Sequence, residues 1–165
     1  MSTPRFAVIP AAYVYLRRGD EVLLQQRRNT GYMDGHWAAG AAGHVEPGET
    51  AAMTACREAG EELGVVIDED DLVPLTVMQR TDGTTSTIEQ RADWFFTAST
   101  WAGAPSVMEP HKCAEIAWFR LHALPALIPP HERFILEHLG DGTLGSFTSF
   151  GYRRRSSSSP AVAGR

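Results

Sequence analysis

The chain has 165 residues, 43% hydrophobic and 21% charged, and a formal net charge of −5 at pH 7. That length accommodates one domain with one core, its composition is that of an ordinary globular protein, and no stretch approaches the ~20 uninterrupted apolar residues of a membrane helix. The acidic balance argues against a nucleic-acid backbone as main partner, since such binding needs clustered Lys and Arg; a small phosphorylated ligand stays open.

Residues Met1 to Arg5 lack a basic region followed by an apolar run, so the expected compartment is the cytoplasm. Cys56 and Cys113 do not form a C-x-x-C pair and are too few for a cysteine zinc site; both read as small core residues.

In chain order, Phe6, Val8, Ala12, Val14 and Leu16 fall on alternate positions, the period of a half-buried strand. Arg18-Gly19-Asp20 supplies turn chemistry, and Val22 to Gln26 reads as the returning strand of a hairpin. The glycine-rich stretch from Asn29 to Gly48 reads mostly as loop, with a short strand near Ala41 to Val45. From Glu49 the period becomes helical: Ala52, Ala55, Cys56, Ala59 and Leu63 form one stripe, and Gly64 is placed to end the helix. Strands are expected over Val73 to Gln79, Ala92 to Ala98 and Ile116 to Phe119, and a second helix over His131 to Leu139. The composition divides the chain into a folded domain over residues 1–152 and a tail over 153–165 rich in Arg and Ser, which is expected to be disordered.

The chemistry concentrates in residues 43–65, GHVEPGETAAMTACREAGEELGV. At about 100° per residue, Glu58, Glu61 and Glu62 share one sector of the helix, apart from the apolar stripe that can pack on a sheet. Clustered glutamates are most often only a solvated face. Here, carboxylates at this spacing repel by a few tenths of a kcal/mol per pair, a cost that a hard, oxygen-seeking cation such as Mg²⁺ would reverse.

Gly43, Glu49, Arg57, Glu58, Ala59, Glu61, Glu62, Gly64 and Val65 satisfy the pattern G-x5-E-x7-R-E-U-x-E-E-x-G-U, where U is apolar. On these residues the chain resembles the Nudix hydrolase family. The resemblance implies an α/β/α sandwich, with a mixed sheet between the catalytic helix and the C-terminal helix. It implies Mg²⁺, with Mn²⁺ able to substitute, held by Glu58, Glu61 and Glu62 with a backbone carbonyl at Ala42 or Gly43. It also implies that Arg57 orients Glu58, that Glu49 fixes the loop to the helix, and that Gly43, Gly48 and Gly64 are structural. The activity implied is hydrolysis of a phosphoanhydride in a nucleoside diphosphate linked to another group, with a small-molecule nucleotide as substrate; a homodimer stays open.

The chain departs from the family before the signature, where W-x-L-P-G-G is usual: Trp37-Ala38-Ala39-Gly40-Ala41-Ala42-Gly43 has no proline and is one residue longer, which bears on the carbonyl ligand. Glu115 sits where many family members carry a further acid that joins the metals or acts as base; a surface glutamate is the competing reading. Glu109 to Lys112 reads as a candidate substrate-facing loop, and Arg27 and Arg28 as candidate phosphate contacts. His44 and Glu46 form an H-x-E without the P-C-x-x-C partner of a zinc deaminase, so that reading fails. Alternatives are an RNA 5′-end pyrophosphohydrolase and a nucleotide-binding Nudix module without turnover. The isopentenyl diphosphate isomerases share the fold, but they need a suitably placed cysteine, which Cys56 inside the helix does not provide.

Overall fold

The computed structural model describes residues 5–153. Eight strands and two helices run in the order β1 (Ile9–Arg18), β2 (Glu21–Arg27), β3 (Trp37–Ala39), β4 (Ala41–His44), α1 (Ala51–Leu63), β5 (Leu72–Arg80), β6 (Arg91–Ala98), β7 (Cys113–Arg120), α2 (Pro130–Gly140) and β8 (Phe147–Phe150).

β1 organises the sheet. It pairs in parallel with β6 along its length, from Ile9 opposite Arg91 to Leu16 opposite Ala98. Its other edge pairs antiparallel with β4 from Ala11 to Val14, and only its last residues, Arg17 and Arg18, pair with β2. Beyond that turn β2 leaves β1 and takes β3 and β7 as antiparallel neighbours. β5 continues the β6 side antiparallel, and β8 closes that edge in parallel with β5. The sheet is therefore mixed, and it parts between β4 and β2.

Alternation along β1 sends side chains into two cores, not into one core and solvent. Ala12, Val14 and Leu16 join Ala55, Ala59 and Leu63 of α1, whereas Ala11, Tyr13 and Tyr15 join Ile135 and Leu136 of α2. The expected half-buried strand is thus buried on both faces, with a helix on each, the layering of an α/β/α sandwich. Its start also shifts: Phe6 is 70% exposed and precedes the strand.

The alanines along α1 have a packing role. Ala55 and Ala59 are fully buried against Ala12 and Ala41, so the helix backbone lies close to β1 and β4 and its polar face comes within reach of the β4 loop. Two strands were not anticipated from the sequence. β3 lies in the stretch read as loop, and β8 is four residues whose partner, β5, is far away in sequence. Tyr15, fully buried, donates its hydroxyl to Glu132 of α2 and so ties the central strand to the second helix. The tail expected to be disordered lies outside the described residues from Arg154 onward.

Candidate active site

The carboxylate-bearing helix is set by its ends. Thr50 is the N-cap, its side chain accepting from the Met53 amide at 3.1 Å. Gly64 ends the helix with φ of 69°, a left-handed conformation that costs glycine no Cβ strain. The following loop folds back onto this end: the Ser106 amide donates to the Leu63 carbonyl at 3.0 Å and the Met108 amide to that of Glu62 at 3.2 Å.

Arg57 is the hub of the acidic face. Its Nε donates to Glu49 Oε1 at 2.7 Å, and its Nη1 donates to Glu58 Oε1 at 2.7 Å and Glu61 Oε2 at 3.3 Å. Its Nη2 reaches Glu49 Oε2 at 3.1 Å and the His44 carbonyl at 3.3 Å, so one guanidinium joins the helix to the β4 loop. Glu49 also accepts from Thr54 Oγ1 at 2.8 Å and the Glu46 amide at 3.2 Å. Those donors, the Arg57 guanidinium first, pull its pKa down to about 2.

The three candidate metal carboxylates differ in surroundings. Glu61 is the outermost, its side chain 57% exposed. Glu58 lies over Gly43, where a Cβ would overlap its carboxylate, so that glycine is what lets the loop and the acid share the space. Burial raises the Glu58 pKa, and Glu61 and Glu109 add to the effect against Arg57. Glu62 reaches furthest inward: its Oε2 accepts from the Ala42 amide at 2.8 Å and from Gln25 Nε2 at 3.4 Å. Burial first, opposed by the Ala42 N–H and aided by Glu58 and Glu109, pushes its pKa up to about 7.

Among the described residues no three acidic, imidazole or thiol groups close into a cage. Glu58 and Glu61 turn to Arg57, and Glu62 turns to the Ala42 amide. The donor chemistry nevertheless fits a hard divalent cation: it is all oxygen, and each of the two inner carboxylates holds its proton more tightly, first because of burial and then because of the charge on its neighbours. That repulsion is what a bound cation would remove.

Glu115 and Glu109 are placed differently. Glu115 is exposed on β7, and its charge is not among the largest influences on Glu58 or Glu62. The outlying acid that does act on both is Glu109, held by Lys112 Nζ at 2.9 Å in the loop that docks on the end of α1.

The model of the NUDIX domain matches residues 8–139. The chain belongs to the Nudix hydrolase family. It is 35% identical over 127 residues to an isopentenyl-diphosphate Delta-isomerase of Rhodobacter capsulatus, covering 75% of this chain and 71% of that protein. It is 31% identical over 140 residues to an NAD-capped RNA hydrolase NudC of Pseudomonas putida, covering 85% of this chain but only 45% of that protein. Among solved structures, a MutT NUDIX hydrolase from Burkholderia pseudomallei superposes with a TM-score of 0.71 at 26% identity, over 79% of this chain and 97% of that one.

Beside the Nudix helix, the parting of the sheet opens a cavity of about 350 Å³. Glu62, Ala42 and Gly43 stand at one side of it; Tyr13, Arg80, Arg91, His131 and Glu132 line the rest, and Tyr32 and Ile88 stand exposed where it opens. Arg27 also lines it, but its Nε and Nη2 are committed to the Tyr32 carbonyl at 2.8 Å and Thr30 Oγ1 at 3.0 Å. Arg28 is exposed and outside the lining, and neither cysteine lines it. Glu132, 3% exposed, accepts the Tyr15 hydroxyl at 2.9 Å and the Ala39 amide at 2.6 Å, and burial pushes its pKa up to about 7. None of Tyr13, Arg80, Arg91, Asp93, His131 and Glu132 is legible from the Nudix signature. The available hint was Asp93 interrupting the apolar run Ala92 to Phe96, since a charge there must find a buried partner.

Proposed function

We propose that the chain is a divalent-metal-dependent hydrolase, using Mg²⁺ with Mn²⁺ able to substitute, that cleaves the phosphoanhydride of a nucleoside diphosphate linked to another group. The observation that carries this reading is the joining of Glu58 and Glu61 by Arg57, with Glu58 against Gly43 and Glu62 at the edge of an arginine-lined cavity. When bound, a divalent cation supplies charge against the pyrophosphate and acidifies an attacking water. The protein's own part is positional: Arg57 aims Glu58, the Ala42 amide aims Glu62, and Gly43 leaves room for the Glu58 carboxylate to lie against β4. Glu115 is retained as a candidate base, with Glu109 as the competing acid.

A second reading, hydrolysis of a nucleotide cap at an RNA 5′ end, is favoured by the name of the NudC relatives. The net charge of −5 weighs against it. The isomerase reading lacks its suitably placed cysteine, because Cys113 is buried with its thiol donated to the Glu115 carbonyl and Cys56 lies on the packed side of α1. A screen of nucleoside diphosphate conjugates and capped RNA with Mg²⁺, scored by phosphate or pyrophosphate release, tests the proposal. Glu62→Gln should lower turnover at least ~10²-fold, the scale for removing one electrostatic group from a site. Near wild-type rates in that variant at saturating Mg²⁺ would overturn the reading.

A further inference from the structure

The cavity wall away from the acidic helix carries a charge the protein does not neutralise. Asp93 is fully buried, and two guanidinium groups share it: Arg80 Nε at 2.8 Å from Oδ2 and Arg91 Nε at 3.5 Å from Oδ1. The two arginine side chains are only 10% and 12% exposed. Two buried cations on one carboxylate leave one positive charge in excess, and a buried charge without a partner is costly.

The other acids lining the cavity do not supply that partner. Among the described residues Glu62, Glu89 and Glu132 form no ion pair with either arginine; Glu62 faces the Ala42 amide and Glu132 is held by Tyr15 and Ala39. Both Nη groups of Arg80 lack hydrogen-bond partners among the described residues and are not sealed from the cavity. That edge of the guanidinium is the fork that donates to two oxygens of one oxyanion side by side. Arg91 spends Nη1 on His44 Nε2 at 3.0 Å. The adjacent His131 ring is buried, and its Nε2 has no partner among the described residues.

The array starts next to the acidic helix. His44 follows Gly43, bonds Arg91, and through Asp93 reaches Arg80, so a ligand lying along the cavity meets the carboxylates first and Arg80 further on. We propose that Arg80, Arg91 and Asp93 form a subsite for an oxyanion on the substrate remote from the bond that is cleaved, a phosphate monoester or a carboxylate. The subsite deepens the proposed hydrolase reading and rests on it for the word substrate, but binding of an oxyanion there does not depend on turnover.

The test is calorimetric titration of the metal-free full chain in EDTA with inorganic phosphate and, separately, acetate. Arg91→Gln removes the excess charge while leaving Arg80 and Asp93 as a one-to-one pair, so it is the variant to trust for folding; Arg80→Gln is the second, each checked by its melt. Wild type should bind at least one ion at up to about 10 mM, and Arg91→Gln should weaken it about tenfold or more. Binding of phosphate alone assigns a phosphoryl group, and binding of acetate assigns a carboxylate. No binding of either ion, or binding unchanged in a folded Arg91→Gln, overturns the subsite. In turnover with Mg²⁺, a nucleotide bearing that extra group should exceed its counterpart lacking it in kcat/KM; equal values overturn the substrate assignment even if the ion binds. Ion binding without any hydrolysis would instead leave the subsite standing and sink the proposed function.

Discussion

Glu62 makes the metal-free protein sensitive to pH in a direction that can be worked out. Burial lifts its pKa from 4.5 to about 7. Between those values the folded state keeps a proton that the unfolded state has released, so by linkage stability falls as pH rises. The contribution is present in full below pH 4.5 and gone above about 7. At about 1.4 kcal/mol per tenfold in proton affinity, the loss between pH 5 and pH 8 comes to ~2.5 kcal/mol. Glu62→Gln carries no titrating proton, so the comparison of mutant with wild type isolates this residue from Glu132, which also shifts to about 7. Urea unfolding in EDTA at pH 5 and pH 8 should show the mutant gaining ~2.5 kcal/mol on wild type across that interval. A mutant–wild-type difference that is the same at both pH values would refute the claim that Glu62 is a desolvated acid.

Gly43→Ala should leave the fold within about 1 kcal/mol of wild type by thermal melt, because the Glu58 side chain can swing away, while hydrolysis falls ~10²-fold or more; normal activity would show that the close approach of Glu58 to Gly43 is dispensable. Arg57→Lys retains the charge but not the fork that grips Glu49, Glu58 and Glu61 together, so we expect about 1–2 kcal/mol of destabilisation and reduced kcat, measured by denaturant melts and steady-state kinetics. Glu132→Gln keeps an oxygen for Tyr15 and Ala39 and should cost under about 1.5 kcal/mol near pH 6, whereas Glu132→Leu strands both buried donors and should cost about 2–5 kcal/mol. Equal losses for the two would show that the carboxylate's hydrogen bonds contribute nothing to stability.

The fold was legible where the pattern is local. The helix expected from Glu49 to Gly64 announces itself by its apolar stripe and its C-terminal glycine, and the observed Ala51–Leu63 starts two residues later, after the Thr50 cap. β3 was hidden because Trp37-Ala38-Ala39 carries no period of its own and forms a strand only when β2 is beside it. β8 was hidden for the same reason: Phe147 is 83% exposed, so burial leaves no mark on the sequence there. The misreading of β1 as half-buried has a different cause. Tyr13 and Tyr15 look like polar alternates between apolar neighbours, yet both are buried, Tyr15 with its hydroxyl spent on Glu132.

The same division holds for the site. The signature residues are contiguous because one helix and one turn carry them, so their spacing alone brings Arg57 to Glu49, Glu58 and Glu61. The cavity instead draws on all of β1 to β6 and on both helices, and no spacing along the chain encodes that Arg80 and Arg91 meet at Asp93. Their meeting follows from register: β5 and β6 run antiparallel with Arg80 opposite Arg91, and Asp93 is two residues along on the same face. Like charges placed opposite each other destabilise a sheet unless something else sits between them. Asp93 fills that role for one of the two charges and leaves the other for whatever the cavity holds, so the part of the site that chooses the ligand is the part that only tertiary pairing could create.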